Sequence, residues 1–324
     1  MEKPVDRLSD LDENLLSIAA AHARDINALC TDVAAIIFPT AIHPPSDAIT
    51  MAVSTRMIQL VSEIERQLLG NSNSSNGMPT TWSLLAQSGF LREADLVDFV
   101  LARVSEDRLD DRLGSPNATL TAELLDHADG NVAEAAQLLL AADSLHRRSQ
   151  GGAYLTLPPE LLHKLCWRIV AATEVLQQRR SSEIIEAARN LVSSYDEAQT
   201  ISSSARKLVH FLDTEYPAEL LNPEKCGLHL FAAKISAELN LDHDHILRLM
   251  DCSSSIPLAL ILAALEMPTE IASARLLLLR GQLLTSREAS LFDKYYNAVD
   301  RQAAIVEISS WSALRASYLA FGNT

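Results

Sequence analysis

The sequence predicts an all-α protein: an N-terminal antiparallel helical hairpin followed by irregular helical packing. Three observations predict it. The 324 residues include 52 Leu and 44 Ala, both strong helix formers, against 10 Gly and 7 Phe. The β-branched and aromatic residues are too sparse and scattered to build a large sheet. Apolar residues recur at helical spacing in segment after segment. Hydrophobic residues make up 48% of the chain and mean hydropathy is +0.07, so many helices must be covered on more than one side.

The first predicted helix, Leu11 to Phe38, carries Leu15, Ala19, Ile26, Leu29, Val33 and Ile36 on one stripe. Pro39, Pro44 and Pro45 stop it, and Ser46 is placed to cap a second helix reaching Leu69. That helix shows Met57, Leu60, Ile64 and Leu68 on one face. Residues 1–70 therefore read as a hairpin that must dock on the rest of the chain or on a second copy. The small, polar, uncharged stretch 71–79 reads as a linker. Linker and stripe together predict a homodimer formed through Met57, Leu60, Ile64 and Leu68.

A small helical subdomain is expected over 80–150. It contains helices at Trp82–Ser88, Glu93–Leu113, Leu120–His127 and Val132–Arg148, with a turn at Asp129-Gly130-Asn131. A Gly-, Ser- and Pro-bearing break follows, and residues 158–324 read as a C-terminal domain with a helical-repeat rhythm. Its helices are Glu160–Gln177, Ser182–Leu212 (weakened near Ser193–Ser204), Glu224–Leu239, His243–Asp251, Ile256–Met267, Glu270–Arg280, Arg287–Asn297 and Arg301–Phe321. No fixed-period repeat stands out in the letters.

Charge and cysteine usage narrow the function. Twenty-seven basic against 42 acidic residues give −15 and a pI near 5.0, which disfavours nucleic acid and anionic membrane surfaces as partners. Four cysteines at 30, 166, 226 and 252 show no metal-knuckle spacing and read as buried thiols in a reducing compartment. The charged N-terminus lacks a signal-peptide core, and the longest apolar run, Ile256 to Leu265, is too short to span a bilayer. A cytoplasmic setting is expected. The segment Glu93–Asp129 holds ten acids and three arginines, read as a solvated face or, less favoured, a docking face for a basic partner.

No nucleophile elbow, P-loop, dinucleotide fingerprint or zinc-protease helix occurs, so no catalytic residue and no cofactor is assigned. The strongest chemical suggestion is Leu241 to His245 (LDHDH). With His229 upstream and Asp251 downstream, it makes His229, His243, Asp244 and Asp251 an alternative metal set for a phosphohydrolase. The local reading is different: Asp242 caps a helix, Leu241 and Ile246 staple it, and Asp244 faces Arg248 one turn on.

Four stretches carry a family resemblance: IQLVSEIERQLL from Ile58, TWSLLAQSGFLREADLVDFVLARVSEDRL from Thr81, LPPELLHKLCWRIVAA from Leu157 and VEISSWSALRASYLAFG from Val306. Together they resemble bacterial domain-of-unknown-function family 2336, which is helical and HEAT-like. The resemblance implies a bacterial, cytoplasmic, all-α protein, and it brings no catalytic residues. The leading expectation is a non-enzymatic scaffold or adaptor that binds a protein partner. The metal-dependent phosphohydrolase is one alternative, and a helical pocket for an apolar small molecule is a second.

Overall fold

The computed structural model describes residues 47–70, 78–114, 119–147, 156–177, 181–212, 215–252 and 254–321. The predicted helix Leu11–Phe38, the first arm of the expected helical hairpin, lies outside them, as do Cys30 and most of the linker. The described residues contain sixteen α-helices and no β-strand. No described helix is long and apolar enough to cross a membrane.

In chain order the helices are α1 (Asp47–Leu69), α2 (Trp82–Gln87), α3 (Ala94–Leu113), α4 (Thr119–Glu123), α5 (Gly130–Arg147), α6 (Pro159–Gln177), α7 (Ser182–Ser194) and α8 (Ile201–Leu212). They continue with α9 (Pro217–Leu220), α10 (Pro223–Cys226), α11 (Leu228–Leu239), α12 (His243–Asp251), α13 (Ile256–Ala264), α14 (Thr269–Arg280), α15 (Ser286–Tyr295) and α16 (Arg301–Phe321).

Local chemistry sets many of the boundaries. Gly114 ends α3 in the left-handed region (φ 71°), its N–H donating back to Asp110 O at 3.1 Å. The weak stretch after Ser193 does break the helix, giving α7, a single 3-10 turn and then α8. The helix expected over Glu224–Leu239 is instead two pieces, because Gly227 sits at φ 82°, a conformation a continuing helix cannot take. Asn240, at φ 51°, closes α11, and Asp242 opens α12 two residues later.

The apolar interior does not follow the expected divisions. One core joins α1, α2, the first half of α3, α6 and α7, through residues such as Met57, Leu91, Val97, Leu165 and Ala188. The other joins Leu109 on α3 with α4, α5 and α8 to α16, through residues such as Leu139, Leu208, Phe231, Ile246 and Trp311. A boundary near 150 would separate α5 from α8, against which it packs. The same boundary would separate α1 from α6 and α7, which it also touches.

The stripe Met57, Leu60, Ile64 and Leu68 is engaged within this chain: its members are 0, 2, 0 and 4% exposed. They belong to the first core, and α1 packs against α3, α6 and α7. At about 2 kcal/mol per fully buried aliphatic side chain, this face is the anchor of α1, and no second copy can use it. The linker does not detach α1 either. Glu65, 7% exposed, accepts the N–H groups of Thr80 and Thr81 at 3.0 and 3.2 Å and both of their hydroxyls.

Helix α3 connects the two cores. Every residue from Leu96 to Glu106 is buried, so it is covered all round, as a helix between two layers must be. Three of those residues are charged: Asp98, Arg103 and Glu106. Their partners define the site.

Candidate functional site

Helix α12 lies along α3, with α11 beside it and α16 crossing nearby. Asp242 begins α12 as the sequence suggests: its carboxylate accepts the His245 N–H at 3.1 Å, and Leu241 and Ile246 are both buried. The rest of the local expectation fails. Asp244 bonds to Arg103 on α3 and not to Arg248. Arg248, 4% exposed, reaches Asp98 Oδ1 at 2.7 Å. Asp98 also takes Arg315 of α16 on Oδ2 at 2.6 Å, and Arg315 extends to Asp242 at 3.2 Å.

Around Glu106 a second group gathers. Arg103 Nη1 lies 2.5 Å from Oε2, while His146 Nε2 and His229 Nε2 approach Oε1 at 2.7 and 3.1 Å. The His243 ring stacks on that of His229, centroids 5.8 Å apart and planes inclined by 11°. At the far end of α12, Asp251 holds Arg112 at 2.5 Å and Arg108 at 3.2 Å. A buried ionic seam therefore runs between α3 and α12, with single contributions from α5 (His146), α11 (His229) and α16 (Arg315).

Burial alone would disfavour every charge here. For Glu106, Arg103 first and then His229 and His146 overcome burial and hold its carboxyl well below the usual range. For His229, burial pulls down but Glu106 outweighs it, so the imidazolium is favoured beyond its ordinary value. His243 goes the other way: burial, then His229 and Arg103, push it down to about 3. His245 is also held well below its ordinary value, by burial, Arg248 and Arg315. Its Nδ1 faces Arg248 Nη2 at 3.2 Å, so it accepts and the ring is neutral.

The alternative metal set is not assembled. His229 and His243 meet face to face, so their nitrogens do not converge on one point. Asp244 is bound to Arg103 and Asp251 to Arg108 and Arg112, two turns further along a helix that rises about 1.5 Å per residue. Among the described residues no group of three or more His, Cys, Asp or Glu side chains is arranged to hold a metal ion.

The acidic segment divides: Asp111, Glu123, Asp126 and Asp129 are exposed, as a solvated face expects, whereas Asp98 and Glu106 are buried. Glu93 and Asp95 hold Lys164 of α6, Asp107 holds Arg56 of α1, and Asp98 and Glu106 are in the seam. Sequence reading missed Asp98, Arg103, Glu106, His146 and Arg315. The signal that was available is a charged residue flanked on all sides of one helix by Leu, Val, Phe and Ala.

A cavity of about 150 Å³ opens beside the seam, lined by Leu145, His146, Thr156, Leu191, Tyr195 and Gln199 among others. It is well below the ~300–1,000 Å³ of drug-sized ligand pockets. The described cysteines, Cys166, Cys226 and Cys252, are buried free thiols, and burial pushes Cys166 and Cys226 up to about 12, away from reactivity. Comparison with protein-family models, with curated proteins and with solved structures finds no match for this chain.

Proposed function

We propose that the chain is a non-enzymatic helical scaffold that binds a protein partner through the outer face of α6. The observation that carries this reading is an uncovered apolar row. Half-buried Trp167 and exposed Ala171 and Val175 follow at i, i+4 spacing, with Leu176 beside them; Val175 is 64% and Leu176 48% exposed. The opposite face of α6 is fully engaged in the first core, so the helix is held rigidly behind that row. Aromatic and aliphatic side chains on a fixed helix are what a partner helix or groove recognises.

The seam supports the same reading from the other side. Its carboxylates pair with arginines across the helices, which makes it a junction between helices and leaves the surface as the working part. Irregular helical-repeat packing over α8 to α16 and a cytoplasmic setting complete the proposal. The buried free thiols support a reducing compartment.

The test is affinity capture from the native host with wild type and with a Trp167→Ala/Val175→Glu variant of unchanged thermal stability. A stoichiometric protein retained by wild type and lost by the variant supports the reading. Identical retention by both overturns it.

A further inference from the structure

The cavity beside the seam has a one-sided chemistry. Its volume of about 150 Å³ accepts a molecule the size of benzene, about six heavy atoms, and its walls include apolar Leu145, Leu191 and Ile201. Three hydroxyls in the lining already donate within the chain. Ser194 donates to Leu191 O at 3.2 Å, Tyr195 to Leu157 O, and Thr200 to Glu197 O at 2.9 Å. Gln199 Nε2 donates to Asp196 Oδ2 at 3.0 Å, and His146 turns Nε2 to Glu106 Oε1 at 2.7 Å. An oxygen that has donated its proton still holds lone pairs, so the lining offers chiefly acceptors. Asp196 adds a carboxylate, and among the described residues that line the cavity there is no Lys or Arg.

The backbone acts in the same direction. Helices α5 and α7 both end at the cavity, through His146 and Ser194. A helix C-terminus carries the negative end of the macrodipole and carbonyls that lack an intrahelical partner. The start of α8 also reaches the cavity, but Thr200 Oγ1 accepts the Ser203 N–H there at 3.2 Å. The negative field is felt at Tyr195, whose hydroxyl is held above its ordinary value by burial first and then by Glu197 and Asp196.

We propose that this cavity binds a small primary alkylammonium ion, which donates its N–H groups to Asp196 and the lining hydroxyl oxygens and lays its carbon chain on Leu145, Leu191 and Ile201. An ammonium brings donors where acceptors predominate, and positive charge where two helix ends and a carboxylate are negative. Its stem is covered by the apolar walls, and the Tyr195 ring in the lining adds attraction for a cation. A carboxylate of the same size meets the opposite balance. Leu191 packs against the first core and Ile201 belongs to the second, so an occupant touches both. The site is separate from the α6 row and independent of it.

Amide NMR titration of the full chain at neutral pH with n-butylammonium, 1-butanol and butyrate tests this. Butylammonium is expected to shift the amides of Ser194 to Ile201 saturably, about tenfold or more tighter than butyrate, with 1-butanol between them. Butyrate or 1-butanol binding as tightly as butylammonium overturns the proposal. So does butylammonium that leaves these amides unmoved at about 0.1 M, far above the Kd expected of a ligand this size. Asp196→Asn keeps a side-chain oxygen for the Ala198 N–H, so the turn is retained, and it should weaken butylammonium about tenfold. Unchanged affinity in a folded D196N also overturns the proposal. If D196N does not fold, the contrast among the three probes on wild type still decides.

Discussion

Replacing Asp98 by Ala should be among the most destabilising single changes in the molecule. Asp98 is 4% exposed and its two oxygens hold Arg248 at 2.7 Å and Arg315 at 2.6 Å. Breaking a buried pair leaves an uncompensated charge in the interior and costs about 3–5 kcal/mol. Arg248, 4% exposed, has little access to water for compensation, so the upper part of that range applies. With an unfolding entropy of about 2 cal/mol/K per residue over 324 residues, the loss corresponds to a Tm lower by about 4–7 °C. Urea unfolding followed by circular dichroism gives the free energy directly. The companion variant is Asp98→Leu/Arg248→Met/Arg315→Met, in which all three charges are gone. It should lose less than Asp98→Ala alone, since well-packed apolar side chains can replace a buried ionic group. A loss under about 1 kcal/mol for Asp98→Ala, or a triple variant worse than the single one, would refute the reasoning.

Stability should be bell-shaped in pH with its maximum near 6.5. His243 and His245 are neutral when folded and each contributes stability above 6.5 that is lost as pH falls toward their lowered values, a slope of about 2.7 kcal/mol per pH unit for two protons. His229 contributes below 6.5 and loses its contribution as pH rises, a slope of about 1.4 kcal/mol per pH unit until it deprotonates. Urea midpoints from pH 4.5 to 9 measure both limbs, and a monotonic rise with pH contradicts the assignment. Ile64→Ala should cost about 2–5 kcal/mol while leaving the sedimentation coefficient unchanged, because Ile64 (0% exposed) packs inside its own chain. Trp311→Ala should cost about 3–5 kcal/mol, since the ring is 1% exposed and its Nε1 donates to Glu307 at 2.9 Å; a Tm within a degree of wild type contradicts the packing. Glu65→Ala should loosen the Thr80–Thr81 turn, seen as faster amide exchange at those two residues, whose N–H groups it accepts.

What the sequence made legible is what local physics controls. The limits of α12 and α16, the Asp242 cap and the break after α7 all follow from capping, periodicity and helix-weakening residues within a few positions. What stayed hidden depends on distant partners. An amphipathic stripe such as Met57–Leu68 shows that a face is buried, but not whether the covering surface is the same chain or a copy. A charged residue on α3 reads as solvated unless its counter-ion is known, and those counter-ions lie far along the chain: Asp244 is 141 residues from Arg103, and Arg315 is 217 from Asp98. The metal alternative arose in the same way. Proximity in the letters brought His243 and Asp244 together, while the helix turned one toward His229 and the other toward Arg103.

The claim at the centre of this account is that the seam's acids pair with its arginines and with His146 and His229 and hold helices, not a metal. Metal analysis of the full chain, purified at neutral pH without an affinity tag, tests it most directly. The account predicts no stoichiometric transition metal. About one equivalent per chain that disappears in Glu106→Gln or His229→Gln would contradict it.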